Sequence, residues 1–218
     1  MNAFRTFALV LLLVLVPVLA AAQADCVIGN TDPVVSWQAG WVGMGDGLAQ
    51  FAPLAQSNCD CEVGFRVLEM TGYFVLSGPT QVTVQAELVA ATLGGCPAPG
   101  STAAVSAPVT LDLAEGLQAV TVPCNFDCTI VDEDFFLVLR LTAADGPVEL
   151  PFTGSDTGIP KALPGDPCTS YRDEGTGWTD LVTAGFGGGL PIMATAECCG
   201  EPIGSAGPSW GRLKQEYR

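Results

Sequence analysis

Residues 124–142 read CNFDCTIVDEDFFLVLRLT. In the second half of this stretch Phe135, Leu137, Leu139 and Leu141 fall on one face, and Phe136, Val138 and Arg140 on the other. Alternation with a period of two, carried by aromatic and aliphatic residues, is the pattern of a β-strand. Both faces are largely apolar, so the strand belongs in the middle of a sheet that is covered on both sides. Ahead of it stand Cys124 and Cys128 and three consecutive acids, Asp132, Glu133 and Asp134. The stretch predicts an all-β chain, an antiparallel β-sandwich stabilised by disulfides.

The rest of the sequence extends this pattern. Val63, Phe65 and Val67 share a face, but after Glu69 the apolar phase moves to Met70, Phe74 and Leu76. A phase slip inside one strand predicts a bulge near Leu68 or Gly72. Ser77-Gly78-Pro79 is a turn, and Val82, Val84, Ala86 and Leu88 then alternate with Gln81, Thr83, Gln85 and Glu87 as a half-exposed strand. Further strands are read at Val109–Leu113, at Val120–Cys124 (expected to pair back on the preceding one), at Val148–Phe152, and over the alternation Leu190, Ile192, Ala194, Ala196, Cys198. Residues 94–100 and 154–167 are rich in turn formers and read as loops. No window shows strong helical periodicity, and strands recur at the spacing of a sandwich. Residues 25–58, rich in Gly and Ala, are read as an irregular lead-in packed against the sandwich, with room for a short strand at Val34-Val35 and Trp37 to Val42, residues 59–199 as the sandwich, and residues 200–218 as a tail.

Residues 1–24 have the form of a secretory signal peptide: Arg5, an aliphatic run over 8–19 broken by Pro17, and Ala22-Gln23-Ala24 at the cleavage position. The run is short for a hydrocarbon core of ~30 Å, so a cleaved leader is expected rather than an anchor. The remaining length suits one sandwich domain. Eight Lys and Arg stand against 23 Asp and Glu, a net charge of −15. With no basic face to neutralise phosphates, nucleic acid is not an expected partner, and neither is an anionic membrane after leader cleavage. Nine cysteines, at 26, 59, 61, 96, 124, 128, 168, 198 and 199, read as disulfides in an exported chain. None is spaced as a C-x-x-C zinc site, and the sequence has no histidine. Cys26, Cys59, Cys61, Cys96, Cys124, Cys128, Cys168, Cys198 and Cys199 are all disulfide candidates, their connectivity left open. The adjacent Cys198 and Cys199 point to opposite faces of a strand and should have different partners. The odd cysteine is a free thiol or an intermolecular bridge.

From 59 to 199 the order of features resembles a family. GFRVLEM (64–70) and VTVQAEL (82–88) flank a turn; a Pro99-Gly100 loop follows, then DEDFFLVLRL (132–141), TSYRDEGTGWTDL (169–181) and a closing LPIMATAE (190–197). This is similar to the jelly-roll-like accessory β-sandwich modules of exported bacterial proteins, which are often attached to secreted hydrolases. The resemblance implies a jelly-roll-like sandwich and an extracellular or cell-surface setting. It brings no site residues with it, and no catalytic domain accompanies the module in this sequence.

Chemistry is sparse. The absence of histidine removes most hydrolytic machinery; Gly207-Pro208-Ser209-Trp210-Gly211 matches G-x-S-x-G but lacks the histidine base downstream. Gly185–Gly189 lacks the Lys-Ser/Thr of a phosphate loop. Asp132, Glu133, Asp134, Asp173, Glu174 and Asp180 are the carboxylates from which a glycosidase pair would be drawn. Asp132, Glu133 and Asp134 are also the candidate ligands of a structural Ca²⁺; otherwise no cofactor is expected. Trp37, Trp41 and Trp178 are the candidates for stacking on a sugar ring, although burial would make the first two simply core. Arg212, Lys214 and Arg218 make the tail basic, and it is read as folding back on the acidic body. The expected function is that of a secreted, non-catalytic binding or surface-accessory module whose partner is an extracellular glycan or protein. The alternatives are a structural subunit of an extracellular assembly, joined through the odd cysteine or a sheet edge, and a carboxylate-dependent glycosidase.

Overall fold

The computed structural model describes residues 26–31, 35–53, 59, 61, 64–92, 94–130, 134–153, 167–186 and 189–199. In chain order the strands are β1 (Cys26–Gly29), β2 (Val35–Val42), β3 (Gly47–Ala52), β4 (Gly64–Leu76), β5 (Thr80–Ala91), β6 (Pro99–Val105), β7 (Val109–Leu113), β8 (Gly116–Pro123), β9 (Thr129–Ile130), β10 (Phe135–Ala144), β11 (Val148–Thr153), β12 (Ser170–Asp173), β13 (Trp178–Asp180) and β14 (Met193–Cys198). They form two antiparallel sheets and, among the described residues, no helix. Sheet 1 runs β1-β14-β4-β11-β2, with β8 and β9 on the other side of the long β4; sheet 2 runs β13-β12-β3-β10-β5-β6, with β7 also on β5. The chain is an all-β antiparallel sandwich.

β10 lies between β3 and β5, the central position that its two-sided pattern predicts. Its inward residues Phe135, Leu137, Leu139 and Leu141 are buried between the sheets together with Phe65, Met70, Phe74, Val82, Val84, Leu88, Val120 and Val122. Phe65 and Phe135 meet across the sandwich with ring centroids 5.0 Å apart, in the range of attractive aromatic pairs. The outward residues Phe136 and Val138 are just as buried, in a second cluster with Ala49, Val89 and Tyr171. Gly72 of β4 faces Leu139 so closely that a Cβ there would lie 2.3 Å from the leucine Cδ1. A bare backbone at that point lets the two sheets interdigitate.

The phase slip in β4 is a bulge at Leu68: Thr195 of β14 stands opposite Glu69, and the next residue, Ala196, opposite Val67. Two sequence expectations are corrected. Residues 25–58 are not an irregular lead-in, because they supply β1, β2 and β3, and β3 is an interior strand of sheet 2. Five of the six residues of β3 are buried and the strand is built from Gly, Leu, Ala, Gln and Phe, so it has neither the alternation nor the β-branched content that marks a strand. β8 does not pair back on β7. It crosses to sheet 1 and pairs with β4 from Gly116 to Pro123, while β7 stays on β5 in sheet 2. Burial drives the crossover, since Val120 and Val122 face the same core from the opposite sheet.

Eight cysteines are paired, as Cys26–Cys59, Cys61–Cys198, Cys96–Cys168 and Cys128–Cys199. Cys198, the last residue of β14, and Cys199, just beyond it, take different partners, Cys61 and Cys128. The odd residue, Cys124, is a buried free thiol whose Sγ lies 3.4 Å from the Val122 carbonyl oxygen. Burial, reinforced by the charge of Glu69, pushes its pKa up to about 12. So enclosed a thiol cannot bridge to a second chain without local unfolding. The expected leader (1–24), residues 154–166 of the expected loop, and the expected tail (200–218) with its G-x-S-x-G match lie outside the described residues.

Candidate functional site

The outward face of sheet 2 is graded from apolar to charged along its strands. At one end Phe136 stands between Phe51 of β3 and Val89 of β5. The Phe51 and Phe136 rings are 5.2 Å apart, and Tyr171 approaches Phe136 edge-on at 5.5 Å. Ala98 packs against this end. The Tyr171 hydroxyl donates to the Pro97 carbonyl at 2.8 Å, and the Cys96–Cys168 disulfide fastens the loop to the approach to β12.

At the other end one row crosses five strands: Gln85, Arg140, Gly47, Asp173 and Trp178 stand in register on β5, β10, β3, β12 and β13. Gly47 leaves a notch at the centre of the row. A Cβ there would lie 3.0 Å from both Arg140 Nη2 and Trp178 Cη2, so the guanidinium and the indole edge lean over the glycine from its two sides. Any other residue at this position would push them apart. Trp178 itself is half-buried.

The charges around the notch are tightly engaged. Arg140 Nε donates to Glu87 Oε1 at 2.5 Å, and its Nη1 donates to the Gly45 carbonyl at 2.8 Å and reaches Asp173 Oδ2 at 3.4 Å. These partners, Glu87 foremost, raise the pKa of Arg140 above its ordinary value. Asp173 also accepts the backbone N–H groups of Gly175 and Gly177 through Oδ1, which shapes the turn leading to Trp178. At the adjoining rim Arg172 donates to Asp46 Oδ2 at 2.7 Å and pairs with Glu174 at 2.9 Å. Asp46 in turn accepts the Gly43 N–H. Four carboxylates against two guanidinium groups leave this end net negative.

Of the candidates read from sequence, Trp178 and Asp173 meet here and Glu174 lies at the rim. Asp180 stands apart, accepting the backbone N–H groups of Cys168, Val182 and Thr183. Trp37 and Trp41 lie on β2, the outermost strand of sheet 1, in register with Pro151 and Glu149 of β11; they are thus on a different sheet from Trp178, and their side chains are outside what is described. Asp132 and Glu133 also fall outside the described residues. Asp134 is exposed at the start of β10, and its carbonyl accepts the Ala91 N–H. Among the described residues the one group of three ligand-type side chains within 4.8 Å is Cys96, Cys168 and Asp180, and its two sulfurs are bonded to each other. Arg140, Glu87 and Gly47 were not singled out from sequence. Arg140 carried a signal all the same, as the one charge in an otherwise apolar strand.

No family model matches the sequence, and no curated protein matches it. Among solved structures the chain is similar to that of the cysteine protease and lectin-like domains of Cwp84, a surface layer associated protein of Clostridium difficile, with 14% identity and a TM-score of 0.48. The likeness covers 71% of this chain and 32% of that one, so this chain spans about a third of that structure's length. At that identity no residue of the site carries over.

Proposed function

We propose that the chain is a secreted, non-catalytic β-sandwich that binds carbohydrate at the charged end of the outward face of sheet 2, with Trp178 as the stacking platform. The observation behind this is the notch at Gly47, which sets the edge of an indole beside a fixed guanidinium and two carboxylates on a rigid sheet. Apolar area flanked by a few oriented polar groups is what a sugar ring requires, because its C–H face stacks while its hydroxyls take hydrogen bonds. The net negative character favours neutral or amino sugars over sulfated or uronic ones. Four disulfides are in keeping with an oxidising, extracellular compartment. The acids of the face are held by arginines and backbone N–H groups, an arrangement that suits binding better than proton transfer.

A glycan array probed with the purified protein, followed by calorimetric titration of the best neutral glycan, tests this. Trp178→Ala should weaken binding at least about tenfold, some 1.4 kcal/mol, in a protein that still unfolds cooperatively at a lower temperature, because Trp178 also packs on the apolar cluster of this face. An array with no retained glycan, or an unchanged Kd for Trp178→Ala, would overturn it.

A further inference from the structure

Sheet 1 has no strand beyond β8 among the described residues, and this edge has an unusual character. β8 is eight residues long and pairs with β4 without a register shift. From Gly116 to Phe126 the sequence carries no charge. Proteins ordinarily blunt a free edge with charges, bulges or shortness, and the other edges here follow that rule. β6 has two register shifts, β7 carries Asp112, β2 is shifted against β11, and β1 and β13 are only four and three residues long.

The direction of the free groups follows from the ladder. The Cys124 N–H donates to the Leu68 carbonyl, so on β8 the even-numbered residues turn their N–H and C=O groups towards β4. Leu117, Ala119 and Thr121 therefore turn theirs away. Their side chains are exposed on the outer face of sheet 1, and Leu117 is one of three large apolar side chains exposed among the described residues.

We propose that β8 is a self-association edge, on which a second copy of this chain adds its own β8 antiparallel about a two-fold axis at Ala119. The occupant is argued from self-complementarity and charge. With the axis at Ala119, each residue that turns its backbone outward meets another that does the same: Ala119 meets Ala119 of the other copy, and Leu117 meets Thr121. The antiparallel pattern then supplies about six new hydrogen bonds. A chain of net charge −15 repels itself over most of its surface, but here the nearest acids, Glu115 and Asp127, fall opposite Pro123 and beyond the strand end, never opposite each other. Joining would fuse the two copies of sheet 1 into one continuous sheet and leave the outward faces of sheet 2 free. This is independent of the carbohydrate reading, although a dimer would present two sites at once and so gain avidity on a repeating ligand.

Sedimentation velocity of the purified protein, from low micromolar to about 100 µM, should show a monomer–dimer equilibrium that strengthens as salt screens the net charge. Ala119→Pro removes an N–H that the chain's own sheet does not use, and Ala119→Lys places two like charges across the axis. Both variants should be monomeric and should melt close to the parent protein. Val105→Lys, on the edge of sheet 2, should dimerise as before. A monomer at every concentration and salt, a dimer that survives Ala119→Lys, or a dimer lost through Val105→Lys would each overturn the proposal.

Discussion

Replacing Gly72 by alanine probes a point of close approach between the two sheets. The added Cβ would lie 2.3 Å from Leu139 Cδ1 and 3.5 Å from Ile192 Cγ1. Carbon atoms rest about 3.5–4.0 Å apart, so the leucine methyl must move by more than an ångström. Leu139 is 1% exposed in the middle of β10 and has nowhere to go without leaving its rotamer or prising the sheets apart. Overpacking of this kind costs about 1–3 kcal/mol; near 2 kcal/mol, a domain of this size should melt roughly 4–8 °C lower. Leu139→Ala alone should cost about 2–5 kcal/mol through the cavity it leaves. In the double variant the alanine methyl occupies part of that cavity, so the combined loss should fall short of the sum by about 1 kcal/mol or more. Urea unfolding with the disulfides intact and m-values matched across the four proteins measures the cycle. Losses that add to within about 0.5 kcal/mol would mean that Gly72 and Leu139 do not face each other and that the two sheets are packed differently.

The Cys124 thiol should resist alkylation in the folded protein at pH 8 and react at once on unfolding; rapid native labelling of one thiol, read by mass spectrometry, would contradict its burial. Because its folded pKa is raised from 9.0 to about 12, the folded state holds the proton more tightly. That contribution to stability is fully present below pH 9 and is lost as pH rises through the window between the two values. Cys124→Ala should therefore flatten the alkaline limb of a stability–pH profile. Arg140→Ala strands the buried Glu87 without its guanidinium and should cost about 2–4 kcal/mol, whereas the pair Arg140→Met with Glu87→Gln should recover most of it; equal losses in the two urea titrations would show that the ion pair does not compensate the glutamate.

Where the chain alternates, the strand was legible in the sequence. β5 and β10 announce themselves because one face meets a core while the partner face carries Gln81, Thr83 and Gln85 or a lone Arg140. Even the bulge at Leu68 left a trace, because an extra residue must move every following side chain to the other face. β3 left none. Its place between β10 and β12 is dictated by neighbours far away in sequence, and small residues that pack on both sides have no period to read. The same distance hid most of the candidate site. Trp178 stood out by residue type, but its setting depends on Gly47, Asp173 and Arg140 arriving in one row from separate strands, and only the sheet order brings them together. β8 was misassigned to β7 because alternation reveals that a residue faces a core but not which of the two sheets it faces it from.

All four disulfides gather at one end of the sandwich. Cys26, Cys128, Cys198 and Cys199 lie around the Phe65 end of β4, and the Cys96–Cys168 bond holds the same end of sheet 2, where β10 begins at Phe135. The opposite end, with Gly45, Asp46, Arg140 and Trp178, is closed by hydrogen bonds and ion pairs alone. The molecule is thus hinged like a book bound along one margin. Thermal opening should begin at the unbound margin and die out towards the sulfur spine, so the Trp178 end can loosen while the strand order stays locked. A protein built this way could lose the grip of its outer pages and close again without scrambling its topology.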